Sequence, residues 1–143
     1  MPKDLRTRDL ILGTMNASKS AQLIMKGFNL DMQGKKVLTF KPKGDTRDGD
    51  YVVSRALPIK RPAIVVPEED DGVIMSSAVW RHKPDVILLD EIQFFTVQQI
   101  EKIAEISITY DVDIYCYGLL ISYNGYMFDS TKRMIESGFR IVP

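Results

Sequence analysis

Apolar residues fall into two kinds of run along this chain. Leu10–Gly13, Val37–Phe40, Val86–Leu89 and Val112–Tyr117 are short compact runs bounded by charges, glycine or proline, the form taken by strands buried in a parallel sheet. Between them the apolar positions recur at helical spacing. Ser20, Leu23, Ile24, Gly27 and Phe28 share one face of a first helix that ends near Gly34, and Val73, Ser76/Ser77 and Trp80 mark a second that Pro84 closes. A third starts at a capping Thr96 and carries Val97, Ile100, Ala104 and Ile108. A fourth is expected from a capping Asp129 to about Ser137, where Gly138 stops it. Tyr51–Val53 and Ile64–Val66 read as short extended pieces inside a loop-rich stretch, and 119–128 reads as a loop around Asn124-Gly125. Lys41-Pro42 is expected to stop the second strand and Gly118 the last one. Strand and helix therefore alternate, which predicts an α/β fold with a parallel sheet covered on both faces.

Size and composition narrow this picture. A chain of 143 residues forms one domain with a real core. Its 19 basic and 19 acidic residues cancel, so nothing global steers it onto nucleic acid or a membrane surface. One cysteine, Cys116, and one histidine, His82, provide neither an internal disulfide nor a zinc set, so no zinc is expected. Cys116 sits in an apolar strand and reads as a buried small hydrophobe, His82 as a helix-end residue, and Glu68–Asp71 as a solvated turn. No apolar run reaches the length of a membrane span and the charged start lacks a signal-peptide core, which makes the cytoplasm the expected location.

Candidate chemistry begins where the first strand meets the first helix. Gly13-Thr14-Met15-Asn16-Ala17-Ser18-Lys19-Ser20 has the glycine and the Lys-Ser of a phosphate-binding loop, with Ser18 in place of the second glycine. A helix start offers unpaired N–H groups to a phosphate, Lys19 would reach the outer phosphates, and Ser20 would ligate a bridging magnesium ion. A plain strand-turn-helix with Ser18 as cap accounts for the loop equally well. The strand Val86–Leu89 ends in Asp90-Glu91, and acids at that edge reach the crevice where such sheets bind ligands. One carboxylate could handle the metal while the other accepts a proton from an attacking hydroxyl.

Four segments together carry a resemblance: Gly13–Ser20, Lys41-Pro-Lys-Gly-Asp-Thr-Arg47 with Val53-Ser-Arg55, Asp90-Glu-Ile-Gln-Phe-Phe95, and Tyr117-Gly-Leu119 followed by Gly125 and Phe128. In order and spacing the chain resembles the type II thymidine kinases from about Leu10 to Ile141. The resemblance implies a RecA-like P-loop NTPase fold and ATP-dependent, Mg2+-assisted phosphorylation of thymidine. On it, Gly13 through Ser20, with Asp45 and Arg47, would serve the ATP phosphates, and Ser20 and Asp90 the magnesium. Glu91 would be the general base on the nucleoside 5′-hydroxyl. Met15, Phe94, Leu119, Tyr123 and Phe128 match positions around the nucleoside base, where core packing is the competing explanation for each apolar member. Nucleoside and nucleotide are then the expected partners, with a homo-oligomer implied, and neither nucleic acid nor membrane.

The chain also departs from that family. Ser18 replaces a glycine, Leu120-Ile121-Ser122 is more apolar than the family's polar run, and the zinc-binding subdomain and lasso-like loop have no counterpart before Pro143. Two other functions therefore stand beside the kinase: a nucleotide-binding or assembly module of the same fold with impaired catalysis, and an unrelated phosphate-loop ATPase.

Overall fold

The computed structural model describes residues 6–13, 19–44 and 49–142. Its elements are β1 (Arg8–Gly13), α1 (Lys19–Met32), β2 (Val37–Pro42), β3 (Tyr51–Val53), β4 (Lys60–Pro62), β5 (Ile64–Val66), α2 (Val73–His82), β6 (Val86–Leu89), a 3-10 turn (Ile92–Phe94), α3 (Val97–Thr109), β7 (Asp113–Leu119), α4 (Asp129–Glu136) and β8 (Arg140–Val142). Six strands form one sheet in the order β5-β2-β6-β7-β1-β8, and every pairing within it is parallel. β3 and β4 form a separate antiparallel pair. None of the described helices is long and apolar enough to cross a membrane.

Strand β6 shows why the sheet needs two covers. Its side chains alternate, so Ile87 and Leu89 enter a core with Met75, Ala78 and Val79 of α2, Ile100, Ile103 and Ile106 of α3 and Met134 of α4. Val86 and Leu88 enter the opposite core with Leu23, Ile24 and Leu30 of α1 and Val52 of β3. The uninterrupted apolar run Val-Ile-Leu-Leu is thus the consequence of burial on both faces.

All four expected helices form. In α1 Leu23, Ile24 and Gly27 are buried as expected, and in α3 Ile100 is, but single positions at the edge of each face differ, and α2 buries Met75, Ala78 and Val79 in place of the expected set. In α1, Phe28 is exposed while Leu30 is buried; in α2, Val73 and Trp80 are exposed; in α3, Ile108 is exposed while Ile103 and Ser107 are buried. At the expected position Gly27 the Arg61 guanidinium lies against the helix, a Cβ there falling 2.6 Å from the Arg61 side chain. Arg61 is held in that place by Asp31 at 2.8 Å and by Thr39 at 3.1 Å.

Element ends also differ from expectation. β2 runs through Lys41-Pro42, which pair with Val65 and Val66, a terminal strand position that proline tolerates. Gly118 lies inside β7. Asp129 is the first helical residue of α4 and does not cap it; the capping position is Phe128, which makes no side-chain cap bond. Ser130 and Thr131 turn inward instead. Thr96 does cap α3, in a capping box with Gln99. Asp70 is more than a solvated turn residue, since its carboxylate accepts the Gly72 N–H at 2.9 Å ahead of α2.

Gln99 joins these pieces. Its Oε1 accepts the Thr96 N–H at 3.0 Å, and its Nε2 donates to the carbonyls of Pro67 at 2.9 Å and Asp70 at 2.7 Å. Because the side chain is buried, Gln99→Leu leaves several polar groups unpaired. An expected loss of about 1–3 kcal/mol follows, to be read as a lower denaturant midpoint with an unchanged slope.

Candidate functional site

The carboxyl ends of β1, β6 and β7 meet at one edge of the sheet. β7 lies between β1 and β6, so the first turn of α1 and the residue that follows β6 face one another across a single strand. Ser20 Oγ sits 3.2 Å from Asp90 Oδ2 and 3.5 Å from Oδ1. The Asp90 N–H donates to the Phe40 carbonyl at 3.0 Å, which pins the acid beside the end of β2. The structure thus brings Ser20 against Asp90, with Glu91 next along the chain, Gly13 closing β1 and Lys19 opening α1.

Burial governs the charge of Asp90. The side chain is only 6% exposed, and its pKa is pushed up from 3.8 to about 7. Loss of hydration is the largest cause and the neighbouring Glu91 carboxylate adds to it, while the Ser20 hydroxyl, a backbone bond at Glu91 and the Lys41 ammonium oppose it. Lys41 is itself buried and donates to the Tyr51 carbonyl at 2.6 Å. An acid kept near neutrality by dehydration is poised for a bound cation.

The donor set fits magnesium. No group of three or more His, Cys, Asp or Glu able to hold a metal occurs among the described residues. Mg2+ takes one or two protein oxygens and completes its octahedron with phosphate oxygens and water, which a buried carboxylate and an adjoining hydroxyl provide for.

Glu91 leaves the strand in a left-handed conformation, φ 52 and ψ 49. For a residue with a Cβ this costs on the order of 1 kcal/mol and persists only where surroundings impose it. Glu91 Oε2 accepts from Gln93 Nε2 at 2.6 Å.

The aromatic positions divide. Phe94 packs edge-on against Phe128 with ring centres 6.5 Å apart, and Phe94 remains 56% exposed, an apolar wall open to solvent. Leu119 is half-buried at the end of β7, its N–H held by Gln93 Oε1 at 3.1 Å. Tyr123 stands 93% exposed in a small turn where Ile121 bridges Met127 and Gly125 takes φ 86. Thr14, Met15, Asn16, Ala17, Ser18, Asp45 and Arg47 lie outside the described residues.

Sequence patterns missed three contributors. Lys41 was hidden as a strand terminator, and only its burial next to Asp90 reveals it. Gln93 lies within the Asp-Glu-x-Gln stretch, but nothing local shows that its amide reaches β7. Gly118 has no positive φ; its small size matters because a Cβ there would fall 2.5 Å from Gln93 Oε1 and from Ile92 Cγ2.

A Lys-Ser helix start facing a buried acid across one intervening strand is the arrangement of a P-loop NTPase. The X-ray structure of the Legionella pneumophila ATPase DotB shares the fold, with a TM-score of 0.54 over 94% of this chain and 36% of that one at 16% identity. The thymidine kinase family model matches residues 7–141, and the chain belongs to that family. It is 30% identical to the thymidine kinase of Enterobacteria phage T4 over 131 residues, covering 90% of this chain and 67% of the relative. It is also 30% identical to that of Encephalitozoon cuniculi over 130 residues, covering 91% of this chain and 60% of the relative. The chain thus spans 60% to 67% of the length of these two relatives.

The chain's one cysteine is Cys116. It is fully buried in β7, and burial pushes its thiol well up, so it is unsuited to act as a nucleophile.

Proposed function

We infer that this chain transfers the γ-phosphoryl group of ATP to the 5′-hydroxyl of thymidine. The observation that carries the inference is the strained left-handed Glu91 directly after the buried, Ser20-paired Asp90. Family membership favours thymidine as the acceptor, and the exposed ring of Phe94, edge-on to Phe128, favours stacking of its base there.

Lys19 binds the outer phosphates and, with Gly13 through Ser18 and with Asp45 and Arg47, orients them for in-line attack. Ser20 and Asp90 would hold a magnesium ion, which would supply positive charge against the phosphates. Glu91 accepts the 5′-hydroxyl proton while that oxygen bonds to the γ-phosphorus and the bond to ADP breaks. Phe94, Leu119, Phe128, Met15 and Tyr123 flank the nucleoside base. Thymidine and nucleotide are the partners, and the cytoplasm, where both are available, is the place of action.

The test is incubation of the chain with Mg-ATP and radiolabelled thymidine. Labelled thymidine monophosphate that requires both ATP and magnesium is the expected product. Binding of ATP or dTTP without product, even at high protein concentration, overturns the kinase in favour of a nucleotide-binding module. Thymidine-independent ATP hydrolysis without labelled product overturns it in favour of an ATPase.

A further inference from the structure

One buried polar side chain at this edge of the sheet has no task in the reaction just described. Gln93 is 7% exposed, and its amide is used in both directions. Nε2 donates to Glu91 Oε2 at 2.6 Å while Oε1 accepts the Leu119 N–H at 3.1 Å. Its backbone carbonyl accepts from Ser130 Oγ at 3.0 Å, and Thr131 Oγ1 donates to the Leu119 carbonyl at 3.1 Å. The end of β6, the end of β7 and the start of α4 therefore converge on this one residue. Gly118 makes the arrangement possible, because any Cβ there would occupy the space of the Gln93 amide oxygen.

We propose that Gln93 is a positioning residue for the phosphoryl-transfer reaction: its amide fixes the Glu91 carboxylate and ties it to the last peptide of β7, where the loop 120–128 begins. This rests on Glu91 being the base. The left-handed backbone at Glu91 sets only the direction of its Cβ, and the half-buried carboxylate beyond it still has three rotatable bonds to fix. A glutamine is suited to the task because it presents a donor to the carboxylate and an acceptor to the peptide N–H at once. Leucine would abandon both groups, and glutamate would set a second carboxylate against the first. Through Leu119 the clamp also joins the base to the segment carrying Tyr123 and Phe128, so acceptor binding on that loop and orientation of the base are linked.

The experiment is a double-mutant cycle on the full chain with Gln93→Leu and Glu91→Gln. Gln93→Leu is expected to lower kcat for thymidine by about 10- to 100-fold, with the KM for ATP changed less than about threefold. In the Glu91→Gln background the same change should add less than about twofold. An equal loss in both backgrounds overturns the proposal, because Gln93 would then act independently of Glu91. A Glu91→Gln chain as active as the wild type overturns the base assignment itself, and the positioning role with it. Gly118→Ala, which pushes the amide from the β7 side, should reproduce the Gln93→Leu loss; wild-type turnover in a folded, ATP-binding Gly118→Ala chain overturns the clamp. A readout independent of turnover is the Gln93 side-chain amide proton resonance. It should move when Glu91→Ala removes its acceptor, and an unmoved resonance overturns the proposal even in a chain without activity.

Discussion

Asp90→Asn is expected to abolish phosphoryl transfer and, at the same time, to stabilise the metal-free protein at neutral pH. The wild-type carboxyl group titrates near pH 7 in the folded chain and near 3.8 when unfolded. Between those values the native state holds more protons than the unfolded state, so the contribution of Asp90 to stability falls as pH rises through that window and levels off above it. The cost of carrying the buried charge above pH 7 is on the order of 1–4 kcal/mol. Asparagine keeps an oxygen for the Ser20 hydroxyl and removes the charge. In EDTA, its advantage over the wild type should be near zero at pH 4 and grow to about 1–3 kcal/mol at pH 8. Denaturant titrations of both chains across that range measure it, and an advantage that is flat with pH contradicts the assignment. Adding Mg-ATP should raise wild-type stability and leave Asp90→Asn nearly unchanged, because the ion restores the partner that burial removed.

This opposition of stability and function explains which parts of the molecule were legible in its sequence. Val86–Leu89 announces itself because burial on both sheet faces requires an unbroken apolar run, and an acid at its end contradicts that run so sharply that Asp90 stands out. β4 is illegible because Lys60-Arg61-Pro62 contains no aliphatic residue to pack; it exists as the partner strand of Tyr51–Val53. β8 is equally hidden, since its place beside β1 depends on pairing of Asp9 with Arg140, whose guanidinium grips the Asp9 carboxylate through two bonds of 3.1 Å. Helix existence follows from periodicity, and so does most of the buried face of α1, whereas α2 turns Met75, Ala78 and Val79 inward and leaves Val73 and Trp80 exposed. Within the candidate site, Lys19, Ser20, Asp90 and Glu91 are singled out by position along the chain. Their mutual arrangement is not: the left-handed turn at Glu91 and the amide link from Gln93 to Leu119 both require a side chain to meet an element distant in sequence.

Glu91→Gln is expected to lower thymidine turnover by about 10²- to 10⁴-fold, the range that a positioned general base supplies. The substitution is nearly isosteric, so the left-handed backbone survives and the new amide oxygen still accepts from Gln93 Nε2. Binding of Mg-ATP, proposed to rest on Lys19, Ser20 and Asp90, should therefore change by less than about threefold. The loss should fall on kcat, since a base acts on the proton as the transition state forms and contributes little to ground-state binding. Initial-rate kinetics with varied thymidine, together with calorimetric titration of ATP, separate the two quantities. A side chain kept only for packing predicts the reverse outcome, an unchanged kcat in a chain that still folds. The backbone already argues against that, because a glutamate held at φ 52 bears strain that glycine would relieve. Glu91→Gly should accordingly retain the fold and ATP binding while losing turnover as fully as Glu91→Gln does.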